Sequence, residues 1–186
     1  NRCGVHTKEE FEALAQHIMS CPNLSFDGIQ AYAGNLAHEE DLLNRESESS
    51  RVEVKLNALK NYLEERGIPV KEVSGVSTGT VEFHIKDTVY TEVQPGSYLF
   101  MDAAYHAVGV KFEHSLFVLA NVISRSNDGV ITDAGFKSVS VDQRAPRFMD
   151  YEEYDADMSE EHCAIYGKDL PQKVGDRMFL IPSHCC

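Results

Sequence analysis

Apolar residues at helical spacing alternate with short apolar runs through the first hundred residues of the chain. Thr7 followed three residues later by Glu10 is a capping-box signature. Phe11, Leu14, Ala15 and Ile18 then share one face of a helix that reaches about Ser20. Cys21-Pro22-Asn23 ends it, residues 26–32 read as a short buried strand, and residues 33–44 are polar and loop-like. A second helix is predicted over 47–66, with Val52, Leu56, Leu59 and Leu63 on one face and Gly67 as its stop before Pro69. Strands are predicted over 70–74 and 88–93, and each runs into a polar, glycine-containing turn. This alternation predicts βα units and a parallel sheet. The two turns then sit at strand C-termini, where open α/β sheets and (β/α) barrels bind ligands.

The pattern changes between residues 105 and 115. Residues 115–123 form a continuous apolar run, 129–132 and 178–181 are further strand-like runs, and Val139 and Val141 alternate with Ser140 and Asp142. No amphipathic helix is evident in this part, and the acidic stretch 150–161 reads as a solvated loop. The division predicted is an α/β domain over residues 1–108 and a mostly antiparallel β domain over 109–186.

A net charge of −13 argues against nucleic acid and anionic membrane surfaces as partners. No apolar run is long enough to span a bilayer. Five cysteines without framework spacing point to free thiols or metal ligands in a reducing compartment, hence a cytoplasmic location. The chain starts at Asn1 and closes on His184-Cys185-Cys186, which reads as a piece of something longer.

The chemistry concentrates in Val73-Ser-Gly-Val-Ser-Thr-Gly-Thr80, where glycines, hydroxyls and successive N–H groups suit a bound phosphate. It matches neither a P-loop nor a G-x-G-x-x-G turn, and taken alone it reads first as a Ser/Gly-rich loop. Gln94-Pro-Gly-Ser97 is a second such turn. His184 and Cys186 stand two apart at the end of a strand-like run, so both face one side and together suit Zn²⁺. A buried thiol beside a surface histidine fits the same spacing. Tyr32 suits stacking on a planar ligand, and His38 in the same loop is a candidate acid or base. Arg2 carries no signal by itself, and Asp102, Tyr105 and Asp133 read singly as structural.

In order along the chain, Asn1-Arg-Cys-Gly-Val, Gly28-Ile-Gln-Ala-Tyr-Ala-Gly, Ser74-Gly-Val-Ser-Thr-Gly-Thr, Glu92-Val-Gln-Pro-Gly-Ser-Tyr, Asp133-Ala-Gly-Phe-Lys and Ile181-Pro-Ser-His-Cys-Cys together resemble the D-threonine aldolase / D-serine dehydratase family. The resemblance implies an alanine-racemase-like fold, of which this chain looks like the second half of the (β/α)8 barrel plus part of the β domain. It implies pyridoxal 5'-phosphate, a divalent metal, a D-amino acid substrate and a homodimer. Arg2 looks like the arginine on the cofactor's phenolic oxygen and Tyr32 like the residue flanking its ring. Gly75, Ser77, Thr78 and Gly79, with Gly96 and Ser97, look like the phosphate cup, and Gln94 matches the position facing the pyridine nitrogen. His38 matches a histidine near the substrate β-hydroxyl, a candidate general base, and His184 and Cys186 match the metal pair.

The resemblance has two departures. The family's Schiff-base lysine lies upstream of the Arg2 motif, and Lys8, Lys55, Lys60 and Lys71 do not sit in that motif, so this segment alone is expected to be inactive. Aldolase members usually read His-Cys-Asp at the metal motif, whereas Cys186 resembles the dehydratase form and favours Zn²⁺ over Mn²⁺ or Mg²⁺. The expected activity is a lyase on β-hydroxy D-amino acids, aldolase-like, giving glycine and an aldehyde. A D-serine or hydroxyaspartate dehydratase is the alternative, and the missing lysine also leaves open a non-catalytic cofactor-binding protein.

Overall fold

Thr7 and Glu10 start the first helix as their spacing predicts. A computed structural model describes residues 3–151 and 153–185, and in it α1 (Lys8–Ser20) opens with the Glu10 N–H donating to Thr7 Oγ1 and the Thr7 N–H to Glu10 Oε2. The chain packs as two units, Asn1–Pro95 and Gly96–Cys186.

The first unit is α/β. Strand β1 (Gly28–Ala31) leads to α2 (Leu42–Glu64), then β2 (Glu72–Gly75) and β3 (Glu92–Val93). The three strands form a parallel sheet in the order β1-β2-β3, with Gln30 opposite Ser74 and Ser74 opposite Glu92. Ile29 and Val73 point to the helices and are buried with Ala15, Leu56, Leu63, Ile68, Val70 and Val89. Alternation turns Gln30, Ser74 and Glu92 to the opposite face.

Two boundaries differ from the sequence reading for stated reasons. Helix α2 begins at Leu42 rather than 47, because Asp41 Oδ1 accepts from the N–H groups of Leu43 and Asn44 at 2.9 and 3.1 Å. The strand expected from residue 88 is confined to Glu92–Val93. The Val89 N–H instead donates to the Glu53 carboxylate, which the Thr88 hydroxyl also reaches, so that backbone donor is lost to a ladder.

The second unit is mostly antiparallel. A short helix absent from the sequence reading, α3 (Ala103–Ala107), precedes β4 (Val118–Arg125), β5 (Gly129–Thr132), β6 (Arg147–Phe148), β7 (Ala156–Met158), β8 (Cys163–Tyr166) and β9 (Arg177–Ile181). The sheet order is β6-β9-β4-β5-β8-β7, every pair antiparallel, with a register shift between Val122 and Ser124. Val139 and Val141 lie in a loop rather than a strand, and β7 runs through the acidic stretch read as solvated loop. The core includes Ala120, Val122, Val130, Ile165, Met178 and Leu180, and Cys163 is fully buried among them. Burial first, and the Asp157 charge second, push the Cys163 thiol up to about 11. Among the described residues no helix is long and apolar enough to cross a membrane.

Candidate cofactor-binding and metal-binding residues

Strand β2 delivers the phosphate-like turn. It ends at Gly75, and Val76 follows with φ 66°, a left-handed backbone that β-branched residues rarely adopt. Such conformations raise the energy by about 1–3 kcal/mol and persist only where neighbours hold them. Here the Gln94 N–H is shared between the Gly75 carbonyl at 2.8 Å and the Val76 carbonyl at 3.2 Å. Beyond that point the Ser77 N–H donates to Thr80 Oγ1 at 3.0 Å, and the Thr80 N–H returns to the Ser77 carbonyl at 3.1 Å.

The middle of the turn is left with open donors. Thr78 is 3% exposed, yet its Oγ1 has no hydrogen-bond partner. Neither the Thr78 nor the Gly79 N–H donates to a protein acceptor among the described residues. A buried hydroxyl left in this state destabilises a fold by about 1–3 kcal/mol, a cost that an external acceptor would remove. Gly79 lies against the segment carrying His38: a Cβ there would sit 2.0 Å from the Ala37 carbonyl oxygen. Only glycine permits that approach.

The far end of the turn is fastened to α2. Residues Val81–His84 form a 3-10 turn, and the buried His84 ring places Nε2 2.6 Å from Ser49 Oγ and Nδ1 2.9 Å from Glu53 Oε2. Glu53 Oε1 accepts from Thr88 Oγ1 at 2.6 Å and from the Val89 N–H at 2.7 Å. Burial pushes the Glu53 carboxyl up, but the bonds from Thr88 and Val89 and the adjacent His84 outweigh it and hold it below the usual carboxylate range. Ser-His-Glu is also the composition of a nucleophilic triad. Ser49 is only 5% exposed, however, and a serine that no substrate reaches acts as a fastener.

Three more expected residues fall in this first unit. Tyr32 follows β1 directly, remains 47% exposed, and has its ring against Gly34. His38 is half-buried, just after the 3-10 segment Gly34–Leu36. Gln94 Nε2 donates to Ser74 Oγ at 2.7 Å, and that hydroxyl donates to Glu92 Oε1 at 2.6 Å, which orients the amide from the face of the sheet opposite the helical core.

Gly96, Ser97 and His184 belong to the second unit. Ser97 is buried, and its carbonyl accepts from the Met101 N–H at 2.7 Å. Asp102 is fully buried: Oδ1 caps α3 through the Tyr105 N–H at 2.9 Å, and Oδ2 accepts from the Cys185 N–H at 3.3 Å. The first N–H groups of α3 reach back as well, Ala103 to the Pro182 carbonyl and Ala104 to that of Ser183. His184 Nδ1 is 3.1 Å from Asp142 Oδ2. Arg2 and Cys186 lie outside the described residues, and among the described residues no group of three or more His, Cys, Asp or Glu side chains is placed to hold a metal.

Residues 1–104, more than half of the chain, match the family described as "Alanine racemase, N-terminal domain". The chain belongs to this family. Residues 115–186 match a second family, described as "Putative serine dehydratase domain". The chain is 35% identical over 195 residues to 3-hydroxy-D-aspartate aldolase of Paracoccus denitrificans (strain Pd 1222), covering 99% of this chain and 50% of that protein. It is 37% identical over 194 residues to D-threonine aldolase of Arthrobacter sp, covering 98% and 50%. Among solved structures, D-threonine aldolase from Filomicrobium marinum superposes with a TM-score of 0.90 at 32% identity, covering 99% of this chain and 52% of that one. The chain spans about half the length of the curated relatives it matches. The resemblance carried by the six sequence segments is borne out, and the α/β unit followed by an antiparallel β unit is the alanine-racemase-like architecture expected.

The turn of this alanine racemase-family chain has donors that suit the phosphate of pyridoxal phosphate: a buried hydroxyl and two adjacent N–H groups with no protein acceptor among the described residues. In the intact protein, Thr78→Ala is expected to weaken cofactor retention about tenfold to a hundredfold, since a hydrogen bond to a charged group contributes about 1.5–3 kcal/mol. Equilibrium dialysis with absorbance detection measures it, and unchanged affinity would return the turn to a plain loop. Sequence reasoning missed Glu53, His84 and Asp142. Asp102, read there as structural, caps α3.

Proposed function

We propose that the intact protein is a pyridoxal-phosphate-dependent, divalent-metal-assisted lyase that cleaves β-hydroxy D-amino acids to glycine and an aldehyde. The observation that carries this reading is the buried, unpartnered Thr78 hydroxyl in the Gly75–Gly79 turn, in a chain 35% and 37% identical to two aldolases. When bound, the cofactor supplies an electron sink and the metal a Lewis acid. Gly75, Ser77, Thr78 and Gly79 hold the phosphate through backbone and hydroxyl donors, and Gly96 and Ser97 add theirs. Tyr32 would flank the ring, and Arg2 would donate to the phenolic oxygen. Gln94 faces the pyridine nitrogen as a neutral amide, oriented by Ser74. His38 takes the proton of the substrate β-hydroxyl. His184 and Cys186 hold the metal, and the thiolate favours Zn²⁺. The protein acts as a homodimer in the cytoplasm on this reading.

Cys186 in place of a carboxylate favours one second reading, a dehydratase giving an oxo acid and ammonia. Incubating the intact protein with D-threonine, 3-hydroxy-D-aspartate and D-serine, and measuring glycine against oxo acid, separates the two. Glycine is the expected product. No product from any of the three overturns both readings.

A further inference from the structure

We propose that Asp142 is a positioning residue that fixes the tautomer and ring orientation of His184 for metal binding. This rests on the reading of His184 as a metal ligand. An ionised carboxylate only accepts hydrogen bonds. With Asp142 Oδ2 3.1 Å from His184 Nδ1, Nδ1 carries the hydrogen, and Nε2 is the nitrogen whose lone pair ligates. Carboxylate–histidine–metal relays of this kind orient the ring and raise its basicity.

Both partners are held from behind, which distinguishes the contact from a chance surface pair. The Asp142 carboxylate accepts a hydrogen bond from Ser140 Oγ on its other oxygen, Oδ1. The loop carrying it is fastened by Ser183, a fully buried residue whose Oγ accepts from the N–H groups of Gln143 at 3.3 Å and Arg144 at 2.8 Å. Ser183 immediately precedes His184, so one residue locks the aspartate loop to the histidine segment. That segment is tied on its other side by the Ala103 and Ala104 N–H groups, which donate to the Pro182 and Ser183 carbonyls at 3.0 and 3.1 Å, and by Asp102, which accepts from the Cys185 N–H at 3.3 Å. The segment bearing His184 is therefore pinned on both sides, and Asp142 contacts the ring that it carries.

The test uses the intact protein stripped of metal. Zn²⁺ affinity is read by competition with a chromophoric chelator for wild type, Asp142→Ala, Asp142→Asn and His184→Ala. The His184 tautomer is read by long-range ¹H–¹⁵N correlation on histidine-labelled, metal-free samples, with His184→Ala giving the assignment. Asp142→Ala is expected to lower Zn²⁺ affinity on the order of 10- to 100-fold and to release Nδ1 as the fixed site of the hydrogen. Asp142→Asn, which keeps an acceptor, retains the tautomer and loses less affinity. Asp142 is on an exposed loop, so thermal melting is expected to be unchanged in both variants, and a shared melting shift without a tautomer change would overturn the proposal. Wild-type affinity and tautomer in Asp142→Ala would overturn it while leaving His184 as a ligand. No Zn²⁺ binding by wild type would overturn the ligand reading and this inference with it.

Discussion

Glu53→Ala is expected to destabilise the α/β unit by about 3–5 kcal/mol, the range for removing one partner of a largely buried charge network. The carboxylate accepts from three donors, His84 Nδ1, Thr88 Oγ1 and the Val89 N–H, and its side chain is 18% exposed. Truncation strands all three donors where little water reaches them. The same residue predicts an acid limb. Its carboxyl is held below its ordinary 4.5 in the folded state, so its contribution is complete above that value and is lost as the pH falls through the folded-state value. Urea unfolding at neutral pH and at successively lower pH is the measurement. Wild type should lose this share of stability below pH 4.5, and Glu53→Gln should show a flatter acid limb. An equal acid limb in both would assign the loss to other carboxylates.

Gly79→Ala is expected to weaken pyridoxal phosphate binding about tenfold to a hundredfold. The added Cβ would lie 2.0 Å from the Ala37 carbonyl oxygen and 2.9 Å from its carbon. Both are backbone atoms, so neither yields by a side-chain rotation, and the turn must shift. Overpacking of this kind raises the folded-state energy by about 1–3 kcal/mol, and the displaced Thr78 and Gly79 N–H groups then miss the phosphate. Gly67→Ala is the control. Its φ of +77° strains any side chain, but nothing lies within 4 Å, so it should lower the melting temperature and leave cofactor affinity alone. Equal cofactor affinity in Gly79→Ala and wild type would remove the turn from the binding site.

Local signals in the sequence were read well where the deciding contact was also local. The Thr7–Glu10 box spans one helical turn and starts α1 at the expected place. The turn after β2 was found because its glycines and hydroxyls are adjacent. The strand expected over 88–93 is shorter because the Val89 N–H is captured by Glu53, a residue 36 positions away. Likewise β7 was hidden: Ala156–Met158 sits among acidic residues, and only pairing with β8 makes it a strand. His84 and Asp142 carried no local functional signal, since each matters through partners distant in sequence, Ser49 and Glu53 for His84 and His184 for Asp142.

The fully buried Cys163 thiol, pushed up to about 11, makes the antiparallel sheet its own clock. A thiol that is neither ionised nor reachable reacts with an alkylating reagent only after the strand carrying it has opened. Its labelling rate therefore counts openings of β8 away from β5 and β7, whereas Cys3, exposed at the other end of the chain, labels without waiting.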